Sequence, residues 1–430
     1  MESLKPITRR VGHCLAAMNR AVKRKALLGA TAACVSALLT AVSIDTRADP
    51  YPPVDQKRPP IVLKHHGVFW AGGQVVRRTQ VGNEGAGPLT VPIADQYYLV
   101  GQAYVEYFIP QNLRKGRKTL PIVMVPGGNL VGVHFLTTPD GREGWADFFL
   151  RRGFPVYIVD VPGRGRAGYI PDAFNNVRAG NDVAGPARTS QPNLGTFDSA
   201  AWLEWNTGPL PNPDPAPGPH DPTCIGNDAR GNPGDPVVYC NGDRMPALDA
   251  EGYKHWLGAL MPQGPVQGGA NPGLIAVMDK VKQAHGTPAI YIGHSAGGST
   301  GGGLANNNPE LFRAVIAIEP AQNCNIGAVP ITGLNTVPTL SIHGINQVGR
   351  ANTPDCLARY AAINAAGGDA TYLSLPTLPA SPIFDQIPQV GIWGNDHIMM
   401  WNDNSDELAQ ILLDWIEQHV EKRTGKPGKP

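Results

Sequence analysis

At 430 residues the chain spans anything from one large domain to three small ones. Its 42% apolar and 17% charged content argues against wholesale disorder. A formal net charge of +1 leaves no basic excess for holding phosphates, which argues against nucleic acid as a partner. The 51 glycines and 42 prolines point to turns and long loops rather than a helical bundle.

The first 48 residues read as an export signal. Arg20, Lys23, Arg24 and Lys25 precede a small-residue apolar run from Ala26 to Ser43, and Thr46-Arg47-Ala48 offers small residues where a signal peptidase inspects the chain. The competing reading is one membrane anchor, but the run is Ala- and Thr-rich and near the lower limit for spanning, roughly 18 residues. Arg9-Arg10 lies too far upstream of that run to mark twin-arginine export. The expected location is therefore secreted or periplasmic, with no membrane attachment after cleavage.

Residues 49–430 read as a single α/β domain. Short β-prone runs (Ile61 to Leu63, Gly67 to Trp70, Gln74 to Val76, Ala103 to Ile109) predict leading antiparallel hairpins. From Leu120 the pattern becomes strand, helix, strand. Pro121–Val125, Pro155–Val161, Ala289–Gly293, Ala314–Ile318, Pro338–Ile342 and Ala370–Leu375 are continuous apolar runs, whereas Trp145–Arg152, Cys356–Ala366 and Glu407–Val420 have helical spacing. Apolar strands alternating with helices predict a mostly parallel sheet covered on both faces.

Residues 164–272 interrupt this rhythm and read as a cap or insert over the sheet's carboxyl edge. The proline-rich stretch Pro209–Pro222 cannot form regular structure, but Trp202, Trp205, Tyr253 and Trp256 around it argue for order against a disordered linker. Beyond the signal four cysteines remain, Cys224, Cys240, Cys324 and Cys356, an even number that suggests two bridges with three connectivities open. No CxxC pair or Cys/His spacing suggests zinc or another metal.

Gly293-His294-Ser295-Ala296-Gly297 matches G-x-S-x-G after a buried strand and before a helix start, the setting of a nucleophile elbow. A serine at its free pKa needs a base. After Ser295 only His343, His397 and His419 remain; His419 falls in the last amphipathic segment, and His343 ends a strand and could line the pocket. The chain order nucleophile, acid, base favours His397, in a loop before the final helix. The turn after His343 carries no carboxylate, but Ile318-Glu319-Pro320 places one at a strand's carboxyl end, so Glu319 is the expected acid. Asp396 is a competitor but can hardly turn back onto its neighbour's ring; Asp403 and Asp406 are more remote. Two backbone N–H groups should hold a developing oxyanion: Ala296, and Gly128 in the loop after Pro121–Val125, with Gly127 or Asn129 as alternatives.

With these residues assembled, the chain resembles the bacterial secreted esterases of the seven-one-three type within the α/β-hydrolases. The similarity is carried by Thr137 to Trp145 (TTPDGREGW), Gly163-Arg164-Gly165-Arg166, His294-Ser295, Val315 to Pro320 and Gly394 to Met400 (GNDHIMM). It implies an α/β-hydrolase fold, a Ser295–Glu319–His397 triad, cofactor-free hydrolysis of a small-molecule carboxylic ester, a Cys324–Cys356 bridge, and a homodimer as one assembly open to the chain. The loop Pro126-Gly127-Gly128-Asn129, the Cys224/Cys240 insert and the Ser381–Gln389 extension depart from the family pattern, so substrate identity does not transfer. A lactonase, amidase or acyltransferase would use the same triad; a non-catalytic hydrolase-fold binding protein is the reading from another class.

Overall fold

A computed structural model describes residues 58–80, 93–114, 120–170, 205, 207, 244–246, 248, 250–264, 270–320, 324, 330–345, 348, 353–378 and 380–421. The export signal, Cys224, Cys240, Trp202 and the proline-rich stretch lie outside these residues. The fold described below belongs to the unit Asp55–Pro430.

Eight strands form one sheet in the order β1-β2-β4-β3-β5-β6-β7-β8. Strands β1 (Leu63–Gln80) and β2 (Ile93–Pro110) pair antiparallel, and β2 pairs antiparallel with β4 (Val156–Asp160). From β4 through β3 (Ile122–Val125), β5 (Ala289–His294), β6 (Phe312–Ile318), β7 (Thr339–His343) and β8 (Ala370–Ser374) every pairing is parallel. The six apolar runs read from the sequence are these six strands. The leading β-prone runs differ: they merge into two long strands of one hairpin. Gly72 and Gly73 sit inside β1 at φ 66° and 75°, with Gly101 at 74° in β2. A Cβ on Gly72 would lie 2.9 Å from Gly273 Cα, so the turn signal there serves close helix packing within a continuous strand.

The period-2 alternation of the strands sorts the core into two layers. Ile122, Met124, Ile158, Ile290, Ile292, Ile316, Leu340 and Ile342 face one way. They meet Trp145, Phe148 and Phe149 of α1 (Trp145–Arg151) together with Leu408 and Leu412 of the last helix. Val123, Val125, Tyr157, Val159, Tyr291 and Val315 face the other way. There they pack on Leu274, Val277 and Val281 of α3 (Asn271–His285) and on Cys356, Tyr360 and Ile363 of α5 (Thr353–Ala365). Helix α1 ends where Gly153 turns to φ 82°. The remaining helices are α2 (Ala250–Ala259), α4 (Ala296–Asn307) and α6 (Ser405–Trp415), which continues as a wider π turn over Ile416–Glu421. Among the described residues no helix is long and apolar enough to cross a membrane.

Helix α4 (AGGSTGGGLANN) contradicts its own propensity, since each interior glycine costs about 1 kcal/mol relative to alanine. Packing explains them. A Cβ on Gly301 would lie 2.5 Å from the Tyr291 ring, and one on Gly298 would lie 2.8 Å from Gly293 O. The glycines let α4 lie directly on β5, and Tyr291 Oη donates to Gly297 O at 2.7 Å to hold it there.

A disulfide joins Cys324, beyond β6, to Cys356 in α5, as the family resemblance implied. It closes a loop with a sequence separation of 32, for which chain entropy assigns about 4 kcal/mol. Replacing Cys356 with Ser is expected to lower the unfolding free energy by about that amount or somewhat less, measured as the denaturant midpoint against oxidised wild type.

Candidate active site

The site gathers at the carboxyl ends of β3, β5 and β6, where a parallel sheet presents its loops. Ser295 follows β5 at φ 51°, ψ −120°, and its N–H donates to Ile318 O at 2.8 Å. Side chains at the flanking glycines would not fit. A Cβ on Gly293 would lie 2.5 Å from Gly297 O, and one on Gly297 would lie 2.6 Å from Pro126 O. The turn is therefore held by close backbone contacts, and the serine is left partly exposed at its tip.

Glu319 stands one residue beyond β6 at φ 45° and is fully buried. Its Oε1 accepts the Gly344 N–H from the turn after β7, and its Oε2 lies 3.1 Å from His397 Nδ1. His397 is 3% exposed and pinned by its backbone as well. Its N–H donates to Trp205 O at 2.9 Å, and its carbonyl accepts from His294 Nε2 at 2.8 Å. With Nδ1–H turned to the carboxylate, the basic lone pair of His397 is on Nε2. Ser295 is joined to this pair through its neighbour, since the His294 and His397 rings lie 4.8 Å apart. Among the described residues no hydrogen bond links Ser295 Oγ to the imidazole itself.

The remaining candidates find other partners. His343 contacts Ser341 Oγ and stacks on Tyr372 at 4.0 Å, and burial pushes its pKa down to about 3. His419 faces Asp369 at 3.1 Å and stacks on Trp415. Asp403 pairs with Arg244, and Asp406 with Arg58. Asp396 turns away from its neighbour's ring: Oδ1 accepts the Ile398 N–H at 2.8 Å.

On the other side of Ser295 runs the loop after β3. A Cβ on Gly127 would lie 2.7 Å from Ser295 Cβ, whereas one on Gly128 would meet nothing within 4 Å. Gly128 thus borders open space beside the serine, and Asn129 follows at φ 54°. The non-glycine residues with positive φ among the described residues are Asn129, Ser295, Glu319 and Cys324, so backbone strain concentrates around this site.

Residues without a role at the sequence level build its supports. Arg142, in the TTPDGREGW stretch, donates from Nη2 to Trp401 O and Asn402 O, both at 3.1 Å, and Trp401 Nε1 donates to Thr137 O at 3.0 Å. That stretch therefore binds the two residues that directly follow the GNDHIMM segment. Asn395 Nδ2 reaches Asn402 Oδ1 at 2.8 Å and Asn404 Oδ1 at 2.7 Å, closing the loop that carries His397. Of the aromatic residues of the insert, Trp205 and Trp256 lie 6.1 Å apart, Tyr253 stacks on Trp256, and Trp205 approaches the His397 ring at 6.1 Å. Among the described residues no group of three or more His, Cys, Asp or Glu side chains could hold a metal ion.

No family model matches the chain. It is 27% identical over 354 residues to a probable secreted lipase, phiG, of Fungal sp. (strain ATCC 74256), covering 73% of this chain and 85% of that protein. A solved structure described as a novel bacterial esterase aligns with a TM-score of 0.61 and 26% identity, covering 84% of this chain and 98% of its own. The chain belongs to the α/β-hydrolase superfamily and is related to its esterases and lipases.

Burial pushes the Asp396 carboxyl up to about 8, with the nearby Glu319 charge adding to the effect. Between the unfolded value of 3.8 and about 8 the folded chain holds a proton that the unfolded chain releases. Stability from this group is therefore present below pH 4 and lost as pH rises toward 8. Asp396→Asn is expected to flatten that decline, measured as unfolding free energy across pH 5 to about 9.

Proposed function

We propose that this chain is a secreted serine esterase that cleaves a carboxylic ester through an acyl-enzyme on Ser295. The observation that carries the reading is the sealed carboxylate Oε2 of Glu319 lying 3.1 Å from His397 Nδ1, beside a serine held in an elbow. Glu319 fixes the tautomer in which Nε2 is basic and stabilises the imidazolium that forms. His397 Nε2 takes the Ser295 proton as Oγ attacks the ester carbonyl; hydrogen bonds of this kind tighten when substrate arrives. The Gly128 and Ala296 amides receive the oxyanion, His397 returns the proton to the leaving alcohol, and water then cleaves the acyl-enzyme.

The esterase and lipase relatives support ester hydrolysis as the reaction class. Export is supported by the secreted description of the fungal relative and by the Cys324–Cys356 bridge, which suits an oxidising compartment.

An ester panel run on wild type and variants tests the reading. Ser295→Ala and His397→Ala are expected to lose on the order of 10⁴ to 10⁶ in turnover, and Glu319→Gln less. A fluorophosphonate probe should label wild type and spare Ser295→Ala. Full activity in Ser295→Ala would remove the mechanism. Faster turnover of matched lactones or amides than of esters would move the chain to another reaction of the same triad.

A further inference from the structure

Arg164 lies in the loop after β4, 9% exposed, and its Nη1 donates to two backbone carbonyls of the loop after β3, Gly127 O and Leu130 O, the latter at 3.2 Å. Among the described residues no carboxylate forms a salt bridge with it; the nearby Asp160 is taken by Arg166 at 2.8 Å. A buried guanidinium bonded to two carbonyls, with the Asp160 charge acting on it without a salt bridge, contributes little to stability. Its placement is nonetheless built with care. Asp160 Oδ1 accepts the Gly132 N–H at 2.8 Å, while Oδ2 accepts the Arg166 N–H at 3.1 Å, so one carboxylate locks the loop after β3 to the loop after β4. Gly165, at φ 49°, has no room for a side chain: its Cβ would lie 2.5 Å from Val131 Cγ1.

The peptide unit between Gly127 and Gly128 is trans, so its C=O and N–H point in opposite directions. Holding Gly127 O against a buried cation turns the Gly128 N–H away from it, at the residue that borders open space beside Ser295. A donor on the carbonyl also polarises the whole amide and strengthens its N–H as a donor. We propose that Arg164 is a positioning residue for the oxyanion site: it fixes the orientation of the Gly127–Gly128 peptide and raises the donor strength of the Gly128 amide. The inference rests on the acyl-enzyme reading above and adds to it a residue that never touches substrate.

The test separates transition-state binding from folding and from ground-state binding. In Arg164→Met, kcat on a nitrophenyl ester should fall on the order of 10² to 10³-fold, as when one oxyanion donor is lost, with KM changed by less than about threefold. Affinity for a trifluoromethyl ketone, whose adduct carries the oxyanion, should fall in parallel. Affinity for the ether analogue of the same ester, which has no carbonyl oxygen, should stay as in wild type. Arg164→Lys, which keeps the charge and one donor, should recover part of kcat. It also carries the test if the methionine variant does not fold, a loss of about tenfold with unchanged ether binding being the supporting result. Wild-type kcat in a folded position-164 variant, or equal losses for the ketone and the ether, overturns the proposal. Ser295→Ala run in parallel distinguishes the failures: an active Ser295→Ala sinks the acyl-enzyme reading, whereas a dead Ser295→Ala beside a fully active Arg164→Met sinks only this one.

Discussion

A carboxylate shut off from water at the end of a central strand persists only where donors face both of its oxygens. Glu319 meets that condition with one backbone N–H from the turn after β7 and one imidazole from the loop before the last helix. Three chain segments distant in sequence are thereby obliged to converge. The arrangement constrains the neighbours too: Gly344 packs so tightly on that loop that a Cβ would lie 2.5 Å from Asn395 O. The carboxylate thus organises the ends of β6 and β7, and the position of His397 follows from it.

The opposite half of the site depends on strain rather than charge. Positive φ at a non-glycine residue costs of order 1 to 3 kcal/mol and persists only where surrounding structure over-determines it. At Ser295 that structure is the N–H bond to Ile318 O and the glycine-rich start of α4 pressed against β3 and β5. At Asn129 it is the carbonyl bond to Met261 N at 2.8 Å, which brings the end of the insert behind the loop after β3. The low helix propensity of α4 and the strain at Ser295 have the same cause, a requirement for close backbone approach.

How much of this was legible in the sequence depended on the kind of contact. Six strands could be read because burial on both faces demands unbroken apolar runs, and Ser295, Glu319 and His397 stood out as candidates because an elbow motif, a strand-end carboxylate and a late loop histidine fall in the chain order of a triad. The leading hairpin was read as fragments because Gly72, Gly73 and Gly101 signal turns, whereas Gly72 lets α3 lie against β1 and Gly73 lets β1 lie close on β2. Arg164, His294 and Trp205 remained without a role for a different reason. Each acts on or through a backbone carbonyl, and every residue has one, so nothing in the pattern of side chains says which carbonyl is held. The TTPDGREGW and GNDHIMM stretches stood out as specific, but only their three-dimensional placement shows that the first holds Trp401 and Asn402, the residues that follow the second.

The crowd of histidines around the site sharpens the assignment of the base. His134 and His294 are fully buried with pKa values held well below the ordinary range by desolvation, and the neighbouring imidazoles push the same way. His134 spends Nδ1 on Val131 O at 2.8 Å, and His294 spends Nε2 on the His397 carbonyl. Both are thus held as neutral rings that donate to backbone, since burial opposes a charge on either more strongly than the Asp160 charge favours one on His134. His397 differs in one respect: its Nδ1 faces a carboxylate, so a proton gained at Nε2 produces a cation already paired. The neutral imidazoles around it supply shape and a low dielectric in which that pairing is strong, which supports His397 as the proposed base among several histidines.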